Sequence, residues 1–237
     1  FWPLVDLLVW GFLTIYLQKQ GAGEFPTAIT FLIGAMILWD VMFRSQQGVA
    51  ISFLEDVWTR NLLNVFVAPV RTVEYVAATC VVGVLRICVT LSILTIVAAV
   101  VYQFSLFRMG FALLPFLANL ILFGWFLGMI STALIMRWGQ AAESLAWAVP
   151  FFIQPLAAVF YPVSVLPAWL QPAAMCLPCT PVFEGMRSVL AGNPMPWGNI
   201  ERALLLNLVW GGLAASFFAM NLRHVRRTGL LVKVATQ

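Results

Sequence analysis

The sequence predicts an all-α integral membrane protein of six transmembrane helices. A cytoplasmic amphipathic helix is expected between spans 2 and 3, and short re-entrant external helices between spans 5 and 6. Three observations lead there. Of the 237 residues, 62% are hydrophobic and 9% charged, against about 25% charged in soluble domains, and mean hydropathy is +0.97. At ~20 apolar residues per span, this length allows about six spans. The charges fall between the apolar runs, and they alternate unevenly from one connection to the next.

Taken in order, span 1 is read at about Pro3–Leu17, closed by Gln18, Lys19 and Gln20. The chain opens at Phe1 without a Met, and no charged segment precedes an apolar one. No cleavable signal peptide is therefore read, and the natural N-terminus is expected to be missing or disordered. After a turn with Gly21, Gly23, Glu24 and Pro26, span 2 runs from about Thr27 to Phe43, closed by Arg44-Ser45-Gln46-Gln47. Span 3 is about Val73–Val101, span 4 about Gly110–Met136 and span 5 about Leu145–Tyr161. A proline-punctuated stretch, Pro162 to Glu201, precedes span 6 at about Ala203–Leu222. There is no internal repeat, so the inverted-repeat carrier architecture has little support.

Alternate connections carry Arg44, Arg60, Arg71, Arg137, Arg223, Arg226, Arg227 and Lys233 on one side, and Lys19, Arg108, Arg187 and Arg202 on the other. The side richer in Lys and Arg is the cytoplasmic one, which puts both termini and the Ile51–Pro69 segment inside. Charges scattered in this way give orientation and point to no nucleic-acid partner.

Ile51–Pro69 is the one long helical segment too charged to cross a membrane. On a 3.6-residue period Leu54, Val57, Trp58, Leu62, Val65 and Phe66 share one side, and Asp56, Thr59, Arg60 and Asn64 the other. Leu63 and Val67 sit among the polar residues, as apolar anchors for a partner would. Pro69 stops the helix. An interfacial helix offering its outer face is what a coupling element should look like.

Arg86 lies well inside span 3, where a charge costs roughly 2.5–3.5 kcal/mol on insertion scales. It is expected to face protein or water, lining a cavity or a dimer interface, or else to form a structural ion pair or snorkel to the headgroups. Asp40 is its nearest plausible intramembrane partner, although Asp40 also stands at i,i+4 to Arg44. Pro150, Pro155, Pro162, Pro167, Pro172, Pro178 and Pro181 break the chain repeatedly. Broken helices at membrane depth survive where buried in protein or lining water, so Pro162–Leu190 reads as short re-entrant helices forming an exit gate. Cys176 and Cys179 fit small residues in a packed segment better than a disulfide. The Trp residues near span ends, Trp2, Trp58, Trp138, Trp169 and Trp197, read as an aromatic belt, and His224 as a headgroup contact.

Past span 5, Tyr161-Pro162, Leu166-Pro167-Ala168-Trp169-Leu170, Leu177-Pro178, and Glu184 with Arg187 resemble the signature region of ABC-2 type membrane permeases. Leu54-Glu55 through Ala68-Pro69 and on to Glu74-Tyr75 resembles that family's coupling segment after span 2. The resemblance covers nearly the whole chain as a single ABC-2 type transmembrane domain. It implies a half-transporter of the bacterial plasma (inner) membrane: two copies of the permease pair, and each binds a cytoplasmic ABC ATPase subunit. It further implies that Glu55, Asp56, Arg60, Leu63 and Val67 contact the ATPase. Arg86, Tyr161, Pro162, Leu166, Pro167, Trp169, Glu184 and Arg187 then belong to the substrate path or gate. The chain has no GxxxxGK[ST] phosphate loop, so ATP and Mg are expected on the partner subunit. No cofactor or metal site is expected here, and no catalysis.

The implied substrate is amphipathic: a drug-like molecule, a lipid or a lipid-linked glycan. The alternative is an ion-coupled carrier or channel, which usually pairs acidic residues across spans. Asp6, Asp40 and Glu143 all lie near span ends. An intramembrane enzyme would need clustered His, Asp, Glu or Cys within spans, and the sequence has none.

Overall fold

The computed structural model describes residues 3, 5–11, 26–59, 61 and 71–228. Among these there is no strand. Residues 5–11 are helical, and seven further α-helices follow. They are α1 (Pro26–Trp58), α2 (Thr72–Tyr102), α3 (Leu113–Trp138), α4 (Glu143–Leu156), α5 (Gln171–Met175), α6 (Cys179–Leu190) and α7 (Trp197–Thr228). Three of the described helical stretches are long and apolar enough to cross a membrane: Thr72–Tyr102, Leu106–Trp138 and Trp197–Thr228. These correspond to the expected spans 3, 4 and 6. Of the expected span 1, residues 3 and 5–11 are described and helical, and 4 and 12–17 lie outside the described residues.

The first correction concerns α1. The expected turn at Arg44-Ser45-Gln46-Gln47 does not form, and one helix of 33 residues passes through it. The physical reason is that these polar side chains find partners on the helix itself and on its neighbour. Arg44 pairs with Asp40 one turn back, Nε to Oδ1 at 3.4 Å. Ser45 Oγ donates to the Ile121 carbonyl at 2.7 Å, and Gln46 Nε2 donates to Ser131 Oγ at 3.1 Å. In apolar surroundings such bonds join neighbouring helices. The amphipathic segment therefore begins as the last two turns of α1 and not as a separate helix at Ile51. Leu54 and Val57, expected at the membrane interface, are instead buried with Phe53 against Met136 and Val225.

Helix α3 is central, packed on α1 and α7. Its approach to α1 depends on a Gly124-x-x-x-Gly128 pair. A Cβ at Gly124 would stand 2.5 Å from the Met42 carbonyl oxygen, and one at Gly128 2.7 Å from Val49 Cβ. Small residues at this spacing let helix backbones meet without a hydrophobic driving force. On its other side, Asn207 Nδ2 of α7 donates to both the carbonyl (3.0 Å) and Oδ1 (2.9 Å) of Asn119. Both asparagines are buried.

Helix α2 runs antiparallel to α1. Gly48 meets Gly83, and eight residues onward along α1 and back along α2, the Tyr75 hydroxyl donates to Asp56 Oδ2 at 2.7 Å. The buried residues of α2, Thr79, Gly83, Ile87, Leu94 and Ala98, form one stripe, and much of the rest of its surface is apolar and exposed, including Val73, Leu85, Val89, Ile96 and Val100. An apolar helix surface left this bare is what lipid or another helix would cover.

The second correction is span 5. Helix α4 ends at Leu156 after 14 residues, about 21 Å at 1.5 Å per residue, well short of a ~30 Å hydrocarbon core. Pro150 and Pro155 lie inside it. A left-handed residue, Ala158 at φ 51°, then turns the chain into the short elements. These are a 3₁₀ turn at Val163–Val165, α5 and α6. Helix α6 is no surface loop: Val182, Phe183 and Met186 sit in the main core with Ile37, Phe116 and Phe123.

Candidate functional site

The segment singled out past span 5 folds around an ion pair on α6. Glu184 and Arg187 stand at i,i+3 on one helix face, 3.0 Å apart. Glu184 Oε1 also accepts the Val163 N–H at 2.9 Å, the first available after Pro162, which has none. Arg187 Nη1 donates to the Val159 carbonyl at 3.2 Å. The pair thus braces both sides of the turn that contains Tyr161 and Pro162. The Tyr161 hydroxyl closes the same turn by donating to the Pro155 carbonyl. With side-chain exposures of 14% for Arg187 and 32% for Glu184, the brace is partly desolvated, where charge-assisted bonds gain strength.

Downstream, the Leu166 carbonyl accepts from Gln171 Nε2 at 2.9 Å and the Pro167 carbonyl from the Leu170 N–H at 2.8 Å, which closes the step into α5. Trp169 is 77% exposed, and Val165 and Trp197 are exposed as well. The structure therefore brings Tyr161, Pro162, Glu184 and Arg187 together, and sets Trp169 outward on the next turn.

The coupling residues divide differently. Arg60, Leu63 and Val67 lie outside the described residues. Glu55 is exposed near the end of α1, and its carboxylate is 3.4 Å from Arg86 Nη2. Asp56 accepts from Tyr75, and its Oδ1 accepts from Asn61 Nδ2 at 3.3 Å. Asp40 is thus not the partner of Arg86: it is held by Arg44 one turn away, and Glu55 takes the role. In the antiparallel register Arg86 lies about ten residues above the level of Glu55, so its long side chain reaches along the helix axis, as snorkelling side chains do.

Cys176 is exposed, Cys179 is buried, and neither forms a disulfide. Burial pushes the Cys179 thiol up, away from the reactive thiolate. Among the described residues no group of three or more His, Cys, Asp or Glu could hold a metal ion. Trp58, Trp138, Trp169 and Trp197 are all exposed at or near element ends, and His224 is exposed in the last turns of α7.

Sequence reasoning missed the contacts that position these elements: Ser45 with Ile121, Gln46 with Ser131, and Asn119 with Asn207. One signal was available, the Gly124-x-x-x-Gly128 spacing within an apolar run. No family model matches this sequence, and no curated protein matches it.

Proposed function

We propose that this chain is the transmembrane permease subunit of an ATP-driven exporter of the ABC-2 type. It would move an amphipathic substrate out of the cytoplasm or the inner leaflet. The observation that supports this reading best is the Glu184–Arg187 brace. Two separate pieces of the motif that resembles ABC-2 permeases, the Tyr161-Pro162 step and Glu184 with Arg187, meet in one hydrogen-bonded unit. In this reading the short helices between α4 and α7 form the exit gate on the external side, braced by that unit. Trp169 and Trp197 rest at the outer interface, and both termini are cytoplasmic in a bacterial inner membrane. Two copies pair as a homodimer and each engages an ATPase subunit through Glu55, Asp56, Arg60, Leu63 and Val67. ATP and Mg act on that subunit, and this chain supplies the path.

The test is affinity purification of the full chain from its native membrane, followed by assay for ATP hydrolysis in lipid. A co-purifying nucleotide-binding subunit with ATPase activity supports the proposal. A chain that purifies without one and moves solute down an ion gradient overturns it in favour of a carrier.

A further inference from the structure

Helix α2 packs on α1, and α7 on α3, and the start of α2 meets the end of α7 at one end of the molecule. There Arg226 Nη2 donates to Thr72 Oγ1 at 3.5 Å, and Tyr75 and Val76 pack against the buried cluster of Phe218, Leu222 and Val225. Arg71, Arg223, Arg226 and Arg227 are all exposed at this end. The carboxylates close by in the chain are engaged elsewhere. Glu55 takes Arg86, Asp56 takes the Tyr75 hydroxyl, and Glu74 accepts the backbone N–H of Arg71 at 2.9 Å. Among the described residues, the guanidinium groups of Arg71, Arg223 and Arg227 enter no ion pair.

Along α7, Val209, Leu213, Ser216, Met220, Arg223 and Arg227 recur every three or four residues, and all are exposed, so they form one outer face. Val209, Leu213 and Met220 are 59%, 59% and 62% exposed. The face is thus apolar along most of its length and basic at its last turn. A separate observation fixes the level of that change. Met136 and Val225 share one buried cluster, which sets the exposed Trp138 at the height of these arginines. A tryptophan exposed at the end of an apolar helix marks the headgroup level of a bilayer.

We infer that this end of α2 and α7 holds the headgroup of an anionic phospholipid, whose acyl chains lie on the apolar face of α7 beneath Arg223. Guanidinium groups pair with phosphate in a fixed, two-pronged geometry, and basic clusters between spans take such headgroups. A free phosphate would use the arginines and leave the apolar face bare. A zwitterionic lipid would bring its own ammonium against four guanidinium groups. Such binding needs no ATPase and stands apart from the exporter reading.

The experiment is native mass spectrometry of the purified full chain in neutral detergent, titrated with dioleoylphosphatidylglycerol. Dioleoylphosphatidylcholine, with the same chains, and glycerol 3-phosphate, with no chains, serve as comparators. The anionic lipid should bind at least tenfold more tightly than the zwitterionic one and should not be displaced by glycerol 3-phosphate. Arg71→Gln and Arg227→Gln should each weaken it by about fivefold, the share of one basic residue at an anionic lipid surface. Arg108, exposed beyond the far end of α2, provides the control of equal charge, and Arg108→Gln should leave the affinity unchanged. Equal affinity for the two lipids refutes the site, as does displacement by glycerol 3-phosphate or an equal effect of Arg108→Gln. Lipid held by the monomer and lost from a dimer would also refute it, because a second copy would then cover this face. If a variant does not fold, the preference of the wild-type chain between the two lipids still decides.

Discussion

Glu184 Oε1 lies 2.9 Å from the Val163 nitrogen and accepts its N–H, linking α6 to the turn after α4 across 21 residues of chain. The same oxygen receives Arg187 at 3.0 Å, so one carboxylate satisfies a backbone donor and a guanidinium at once. Because half of this contact is to backbone, charge alone cannot replace it.

Glu184→Ala should therefore cost about 1–3 kcal/mol, since it strands the Val163 N–H and the half-buried guanidinium together. Glu184→Gln keeps an acceptor and should cost less. The swapped pair, Glu184→Arg with Arg187→Glu, should fail to rescue, because an arginine cannot accept from Val163. Thermal unfolding midpoints in detergent provide the ranking, and a swap as stable as wild type would show that the brace acts through charge only.

The α1–α3 contact predicts a contrast between glycines. Gly128→Leu drives a side chain into Val49 and the Gln46 carbonyl, and overpacking of this kind costs about 1–3 kcal/mol. A Cβ at Gly212 on α7 meets nothing within 4 Å. Gly212→Ala should be neutral or stabilising by up to about 1 kcal/mol, as in a helix interior. Equal effects at the two positions would mean that α1 and α3 do not approach closely at Gly128.

Glu55 and Arg86 are each about half exposed, at 49% and 46%, so breaking their pair should change stability little. Arg86→Leu and Glu55→Gln are expected to assemble normally with an unshifted melting midpoint and, under the proposed exporter function, to lose transport together. Wild-type transport in both variants would reduce the pair to a snorkelling contact.

Coupling predicts a separation along one stretch of chain. If the proposed exporter function holds, Leu63→Asp with Val67→Asp should leave the chain inserted but unable to retain an ATPase subunit, because a few apolar anchors dominate such contacts. Leu54 lies fully buried beside Phe53, and Leu54→Asp should abolish folded protein instead. Pull-down yield and size-exclusion profiles distinguish the two. A double variant that still retains the ATPase at wild-type yield would show that this face is only an anchor.

The sequence by itself determined the all-helical, apolar character of the described chain and the extents of α2 and α3 to within three residues, while α7 runs six residues beyond the expected span 6 at each end. Long apolar runs leave the backbone no partner in lipid but its own helix, so composition suffices there. Glu184 and Arg187 were singled out through the resemblance, whereas their pairing and the brace to Val163 and Val159 came only from the fold. Tertiary structure alone decided what Arg44, Ser45, Gln46, Asn119 and Asn207 do. A polar residue in an apolar run looks the same in sequence whether it ends a helix in water or bonds a neighbouring helix. Only the approach of α3, made close by Gly124 and Gly128, puts the Ile121 carbonyl and Ser131 within reach of α1 and carries that helix on to Glu55 and Asp56. Arg86 pairs with Glu55 and not Asp40 because Asp40 is already held by Arg44 on its own helix, while the Glu55 carboxylate stays exposed and within reach of the long arginine side chain.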